Sequence, residues 1–283
     1  MNEERELSLD ECIWHCPHPN CQESLSPAGE GARVLACSNG HQYDRARQGY
    51  VNLLLANQKK SHNPGDSSEM VEARRAFLSA GHYRFLFDAI EACIRRHMSS
   101  ECFRLLDLGC GDGSYLHAIS AAFPEAKLWG SDISKNAIKR AATYVKGAEC
   151  SVASNFHLPF VASSLDLLLS VFSPVDAAEV ARVLRPEGIF IRVLPGENHF
   201  RELKEAIYDI ATSHEAPVSL TQGTLLESIR VENKATLSNA SLAQLIGMTP
   251  LNWRGDSEGK KALLKCEEFT LQFDFVLQVY CFE

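Results

Sequence analysis

One stretch constrains this chain more than any other: Leu105-Leu106-Asp107-Leu108-Gly109-Cys110-Gly111-Asp112-Gly113. The apolar run at 103–108 reads as a buried strand. It stops at glycines in alternate positions, and a helical pattern follows over 114–123. Glycine lets the backbone turn sharply and lie against a ligand with no side chain between them. The N-terminus of the following helix offers its amides to a polar ligand group. Strand, G-x-G-x-G and helix together form the first unit of a nucleotide-type Rossmann domain.

The spacing refines that reading. A dinucleotide loop is G-x-G-x-x-G. Here the third glycine comes one residue early, and Asp107 precedes the first. This loop resembles that of class I S-adenosylmethionine (SAM) methyltransferases. A second strand over 127–132 ends in Asp132, where a carboxylate accepts hydrogen bonds from ribose hydroxyls. The competing role for Asp132 is to cap the next helix, with Ser134 as the rival cap. The resemblance implies an α/β, Rossmann-like SAM methyltransferase sheet. Its cofactor contacts would be Asp107, Gly109, Gly111, Asp112, Gly113 and Asp132.

The net charge of −8 does not advertise nucleic-acid binding, although an acidic whole can carry a local basic face. No apolar run approaches bilayer length, and residues 1–11 are acidic and polar, unlike a secretory leader. A cytoplasmic protein without a membrane partner is the expectation, and its ten cysteines are then better read as metal ligands than as disulfides.

Four of those cysteines fall before residue 45. Cys16 and Cys21 form one pair, and Cys37 and His41 a second, fifteen residues further on. Two pairs on tight turns joined by a hairpin make a closed tetrahedral zinc site, structural and not catalytic. Cys12, His15 and His18 are alternative ligands within reach. So short a segment has too little core to fold alone, and the metal would supply its folding energy.

After this module come Gly49-Tyr50-Val51-Asn52-Leu53-Leu54, Pro64-Gly65-Asp66-Ser67 and Gly81-His82-Tyr83. With the cysteine module and the SAM loop, these resemble the RlmA family, ribosomal RNA large-subunit guanine-N1 methyltransferases, over nearly the whole chain. The resemblance implies a 23S rRNA hairpin or precursor large subunit as partner, and a homodimer forming a wider RNA cleft. It also places Tyr83 and His199 at the SAM site. Many relatives hold an aspartate four residues before Leu-Pro-Phe for the adenine amine. Ser154 stands there in this chain with Asn155 next, so Asn155 is the adenine candidate.

The expected organisation is a zinc-ribbon-like module over 1–45, a linker and helical segment over 46–90, and the methyltransferase domain over 91–283. A substrate-binding insertion is expected around 213–262, and a terminal antiparallel strand pair within 266–282. A helix over 176–184 should stop at Pro186 and Gly188, before a strand over 189–194. Arg45, Arg47, Lys59, Lys60, Arg74 and Arg75 make the region beside the module locally basic, as phosphate contacts require.

Neutral guanine carries a proton on N1, so transfer there needs a proton acceptor. Asp176, His199 and water are the candidates, and spacing does not choose among them. Guanine N1 lies on the Watson–Crick edge, so the target must be unpaired; Tyr50 and Trp253 are aromatic candidates to stack on it. The competing reading is a SAM methyltransferase acting on a small molecule, with the zinc module purely structural.

Overall fold

The computed structural model describes residues 12–21, 23–29, 31, 33–59, 64–207, 218–249 and 258–282. β1 (Ser26–Ala28), β2 (Val34–Ala36) and β3 (Gln42–Asp44) form a small antiparallel sheet. β4 (Val51–Asn52) leads to α1 (Ser68–Ser79) and α2 (Arg84–His97). The alternating section then runs β5 (Arg104–Leu108), α3 (Ser114–Ala122), β6 (Lys127–Asp132), α4 (Lys135–Tyr144) and β7 (Glu149–Val152). It continues through β8 (Leu165–Val171), α5 (Ala177–Val183), β9 (Leu184–Pro195) and α6 (Arg201–Ile207). β10 (Thr224–Ser238), α7 (Asn239–Gly247), α8 (Glu258–Leu263) and β11 (Glu268–Cys281) complete it.

The main sheet has the order β10-β11-β9-β8-β5-β6-β7-β4. β4 to β9 pair in parallel, and β11 joins antiparallel to both β9 and β10. All five residues of β5 are buried, as a central parallel strand covered on both faces requires. Its side chains alternate between two cores. Leu105 faces the helices α1 to α4, whereas Leu106 and Leu108 face α5 and the N-terminal module. β8 divides in the same way, with Leu167 and Leu169 on one side and Leu165 and Leu168 on the other.

The module, with α5, therefore covers one face of the sheet. Ile13, Trp14, Leu25 and Leu35 are buried with Leu106, Leu108, Trp129, Phe160 and Phe190. The backbone stitches the two together: His15 N–H donates to Pro159 O at 2.9 Å, and Val161 N–H to Ile13 O at 2.9 Å. Trp14 Nε1–H reaches Glu149 at 2.9 Å, and Arg45 pairs with the same carboxylate at 2.8 Å. β4 adds an eighth strand beside β7, so the expected linker is partly sheet.

Three sequence expectations need correction. The terminal pair is not contained in 266–282: that segment is one long strand, β11, whose partner is β10. Within the proposed 213–262 insertion, Thr224–Ser238 is thus a sheet strand, and its exposed polar residues, such as Glu232 and Lys234, hid the pattern. α5 runs directly into β9, so Pro186 and Gly188 lie inside the strand's first residues. Proline is tolerated at a strand start, where its missing N–H breaks no ladder bond.

Candidate active site and metal centre

A cavity of about 760 Å³ opens at the carboxyl ends of β5, β6, β7 and β8. In open α/β sheets this crevice is where ligands bind. Its floor is the glycine loop, tied to β6 by Gly109 N–H and Cys110 N–H donating to Ser131 O at 2.7 and 3.0 Å. Asp132 does not cap the next helix; it braces the loop on one side and the cap residue on the other. One carboxylate oxygen accepts Gly111 N–H at 3.0 Å, the other accepts Ser134 N–H at 2.7 Å, and the residue lines the cavity. Each oxygen keeps acceptor capacity for a ribose hydroxyl. Ser134 caps α4, its Oγ accepting Ala137 N–H at 3.3 Å.

Tyr83, Gly109, Gly111, Asp112, Asp132, Asn155 and His199 all line the cavity. Asp107 and Gly113 are not in its wall. Gly113 adopts a left-handed φ of 84° at the start of α3, where an added Cβ would sit 3.1 Å from Ala141; it lets α3 lie against α4. Asp107 is buried beneath the loop. Desolvation, with Asp132 and Asp112 nearby, pushes its carboxyl up to about 8, and its Oδ2 has no hydrogen-bond partner. Asp112 accepts Ser114 N–H at 3.2 Å and Ser114 Oγ–H at 2.8 Å, which fixes the first turn of α3.

Asn155 donates its amide protons to Ser173 Oγ at 2.9 Å and Pro174 O at 3.1 Å, which leaves its carbonyl oxygen as the atom with acceptor capacity. His199 Nδ1 accepts the backbone N–H of Asp274 at 3.3 Å, so the neutral ring carries its proton on Nε2. Burial opposes the charge of Asp274, but Arg230 at 2.9 Å and Asn198 N–H at 2.9 Å hold its carboxyl below the usual range. Asp176 is not part of the wall. Its Oδ1 caps α5 by accepting Ala178 N–H and Glu179 N–H at 2.9 and 3.2 Å.

Gly109 carries a specific expectation. Its φ is 72°, and an added Cβ would lie 2.2 Å from Ser173 Oγ. Gly109→Ala should destabilise the fold by roughly 1–3 kcal/mol of backbone strain and, by forcing the loop or Ser173 to shift in the cavity wall, weaken SAM binding. Isothermal titration against wild type measures it.

The basic residues do not form one exposed face. Arg45 is paired with Glu149, and Arg75 lies 4.3 Å over the Tyr144 ring. Arg74 is in the cavity wall, bonded to Asp66 and to Met248 O. Arg47 and Lys59 are exposed, and Lys60 lies outside the described residues. Tyr50 belongs to the core, and Trp253 lies outside the described residues. Sequence reasoning missed the cavity roles of Arg74 and Asp66. The signal was the Pro-Gly-Asp-Ser run: Ser134 Oγ–H donates to Asp66 O at 2.8 Å, docking that turn beside Asp132.

In the module, Cys16, Cys21, Cys37 and His41 point their donor atoms at one centre. Cys21 Sγ to Cys37 Sγ is 3.8 Å, and His41 Nδ1 stands 3.5 and 3.3 Å from Cys16 and Cys37. Zinc bonds of about 2.3 Å to sulfur and 2.0 Å to nitrogen place tetrahedral neighbours about 3.8 and 3.5 Å apart, so the donor set fits zinc. Asn39 Nδ2–H donates to Cys21 Sγ at 3.4 Å, which helps hold that thiol at about 6, toward its metal-binding form. His18 stacks on the His41 ring at 4.0 Å and does not replace a ligand. Cys93, His97 and Glu227 also converge, but His97 bonds Glu227 at 2.8 Å and Arg96 neutralises it at 3.2 Å. That group reads as an ionic pin between α2 and β10.

Comparison with known proteins bears on both parts. The family pattern described as "RlmA, N-terminal" matches residues 14–62, and "Methyltransferase domain" matches 105–188. A 23S rRNA (guanine(748)-N(1))-methyltransferase of Streptomyces fradiae is 32% identical, covering 86% of this chain and 86% of that protein. A Bacillus subtilis (strain 168) protein, YxjB, is 31% identical, covering 95% of this chain and 98% of its own; its name assigns it provisionally to 23S rRNA (guanine-N1) methylation. The chain belongs to the RlmA family. This RlmA-family protein is a SAM-dependent methyltransferase with a structural zinc module. SAM fits the site observed: a glycine cradle, Asp132 at the ribose position, and a cavity of about 760 Å³, within the roughly 300–1,000 Å³ range of small-molecule sites. Among the described residues, no helix is long and apolar enough to cross a membrane.

Proposed function

We propose that this chain transfers the methyl group of SAM to N1 of an unpaired guanine in a hairpin loop of 23S rRNA. The observation that carries the reading is the near full-length likeness to proteins named for guanine-N1 methylation, with both the metal module and the SAM cavity in place.

SAM supplies an electrophilic methyl group on a sulfonium, so the chain's task is alignment and exclusion of water. The glycine loop and Asp132 hold the nucleoside end. Asn155 presents an acceptor to the adenine. As N1 loses its proton, negative charge grows on guanine O6. His199, in the cavity wall, is the side chain placed to stabilise that charge. With Asp176 engaged as a helix cap, water at the cavity mouth takes the proton.

Arg47 and Lys59 supply phosphate contacts from one chain, and a homodimer in the cytoplasm brings two such sets to one rRNA hairpin. Reverse-transcription mapping of N1-methylguanine in 23S rRNA from cells with and without the protein tests the assignment. A stop lost on deletion and restored by the purified protein with SAM is the expected result. An unchanged stop pattern overturns it.

A further inference from the structure

The wall of the cavity contains an aromatic side chain that the mechanism has not used. Phe172 follows β8 directly, with a φ of 56°. A bulky residue in the left-handed region is a true outlier and persists only where its surroundings over-determine it. Here they do. Phe172 N–H donates to Val193 O at 3.1 Å, and Ser170 Oγ–H to Ser173 O at 3.1 Å; Asn155 clamps Ser173 and Pro174 from the opposite loop.

The strain does not serve burial. Phe172 remains 43% exposed although it lines the cavity. His199 and Phe275 pack against it, with ring centroids 5.9 and 5.5 Å away, which steadies the ring without covering it. Ser173, the next residue, touches the glycine loop, because the Cβ that Gly109 lacks would lie 2.2 Å from its Oγ. A strained, supported and half-open aromatic ring thus stands beside the cofactor floor.

We propose that Phe172 is the stacking platform for the target purine, presenting the base edge of an unpaired nucleotide to the methyl donor. The proposal rests on the rRNA guanine reading above and names the side chain that grips the base. Aromatic faces hold splayed bases by stacking. Backbone hydrogen bonds on both sides would hold the ring at one angle, and so place N1 in line with the methyl group.

The test compares wild type with Phe172→Ala, Phe172→Leu and Phe172→Tyr on unmethylated 23S rRNA transcript, with SAM affinity measured separately by calorimetry. Phe172→Ala should lower kcat/KM for RNA by about 10- to 100-fold, the usual scale for losing one base stack, with SAM affinity within about twofold of wild type. Phe172→Tyr should retain most activity, and Phe172→Leu, equal in bulk but without a π face, should behave like the alanine variant. Parallel loss of SAM affinity would make Phe172 a wall of the cofactor site and overturn the proposal. Full activity in Phe172→Leu would reduce it to a spacer. An inactive wild type on this RNA defeats the rRNA reading and the proposal with it; an active wild type with an equally active Phe172→Ala defeats the proposal alone.

Discussion

Cys37→Ala, or stripping the metal with a chelator, should lower the thermal midpoint of the whole chain, not only unfold the first residues. A structural zinc supplies the folding energy of a module this small, and one lost thiolate opens the site. The module is also the lid of a second core. Ile13, Trp14, Leu25 and Leu35 cover Leu106, Leu108 and Phe190 on the face of the sheet where α5 is the helix buried against them. Exposing just two such side chains costs about 3–6 kcal/mol at the usual hydrophobic scale. That corresponds to a fall of roughly 6 °C or more in a domain of this size. Differential scanning fluorimetry with and without chelator measures it, and near-ultraviolet circular dichroism at Trp14 and Trp129 reports the shared core. A sheet that melts at the wild-type temperature after metal loss would show that the module is merely attached.

This shared core also explains what the sequence concealed. The glycine loop, Asp132 and the four metal ligands were legible because each depends on short spacing along the chain: alternate glycines, a strand end, two turns. The apolar run of β5 was legible because a buried central strand needs no alternation. β10 was not legible, since an edge strand faces solvent and its charges mimic a polar loop; only its pairing with β11, some forty residues later, defines it. Arg45 and Arg74 looked like RNA contacts because sequence shows a charge but not its partner. Glu149 and Asp66 supply those partners from distant or folded-back segments. Phe172 directly follows the apolar strand β8, and its backbone reversal has no sequence signature without glycine. Asp176 looked chemical and is a helix cap, a role its position before 177–183 already allowed.

Asp107→Asn should stabilise the protein at pH 8 and weaken its grip on SAM. The wild-type carboxyl lies under the glycine loop, with desolvation and then Asp132 and Asp112 raising it to about 8, while Oδ2 lacks a partner. The folded state therefore keeps a proton that the unfolded chain loses above about pH 4. Between about pH 4 and 8 the unfolded chain binds fewer protons, so wild-type stability falls as pH rises across that window. Asparagine has no proton to lose. The two proteins should melt alike near pH 4, diverge as pH rises, and hold a constant difference above about pH 8. The span from 3.8 to about 8 sets a ceiling of roughly 5–6 kcal/mol on that difference. A buried carboxyl kept at such a cost to stability has a use when a cation arrives, because a positive ligand on the loop above favours its ionised form. SAM binding near pH 7 should then release part of a proton in the wild type and none from this position in Asp107→Asn. Calorimetry in buffers of different ionisation enthalpy distinguishes the two, and equal proton release by both proteins would remove Asp107 from the account of cofactor binding.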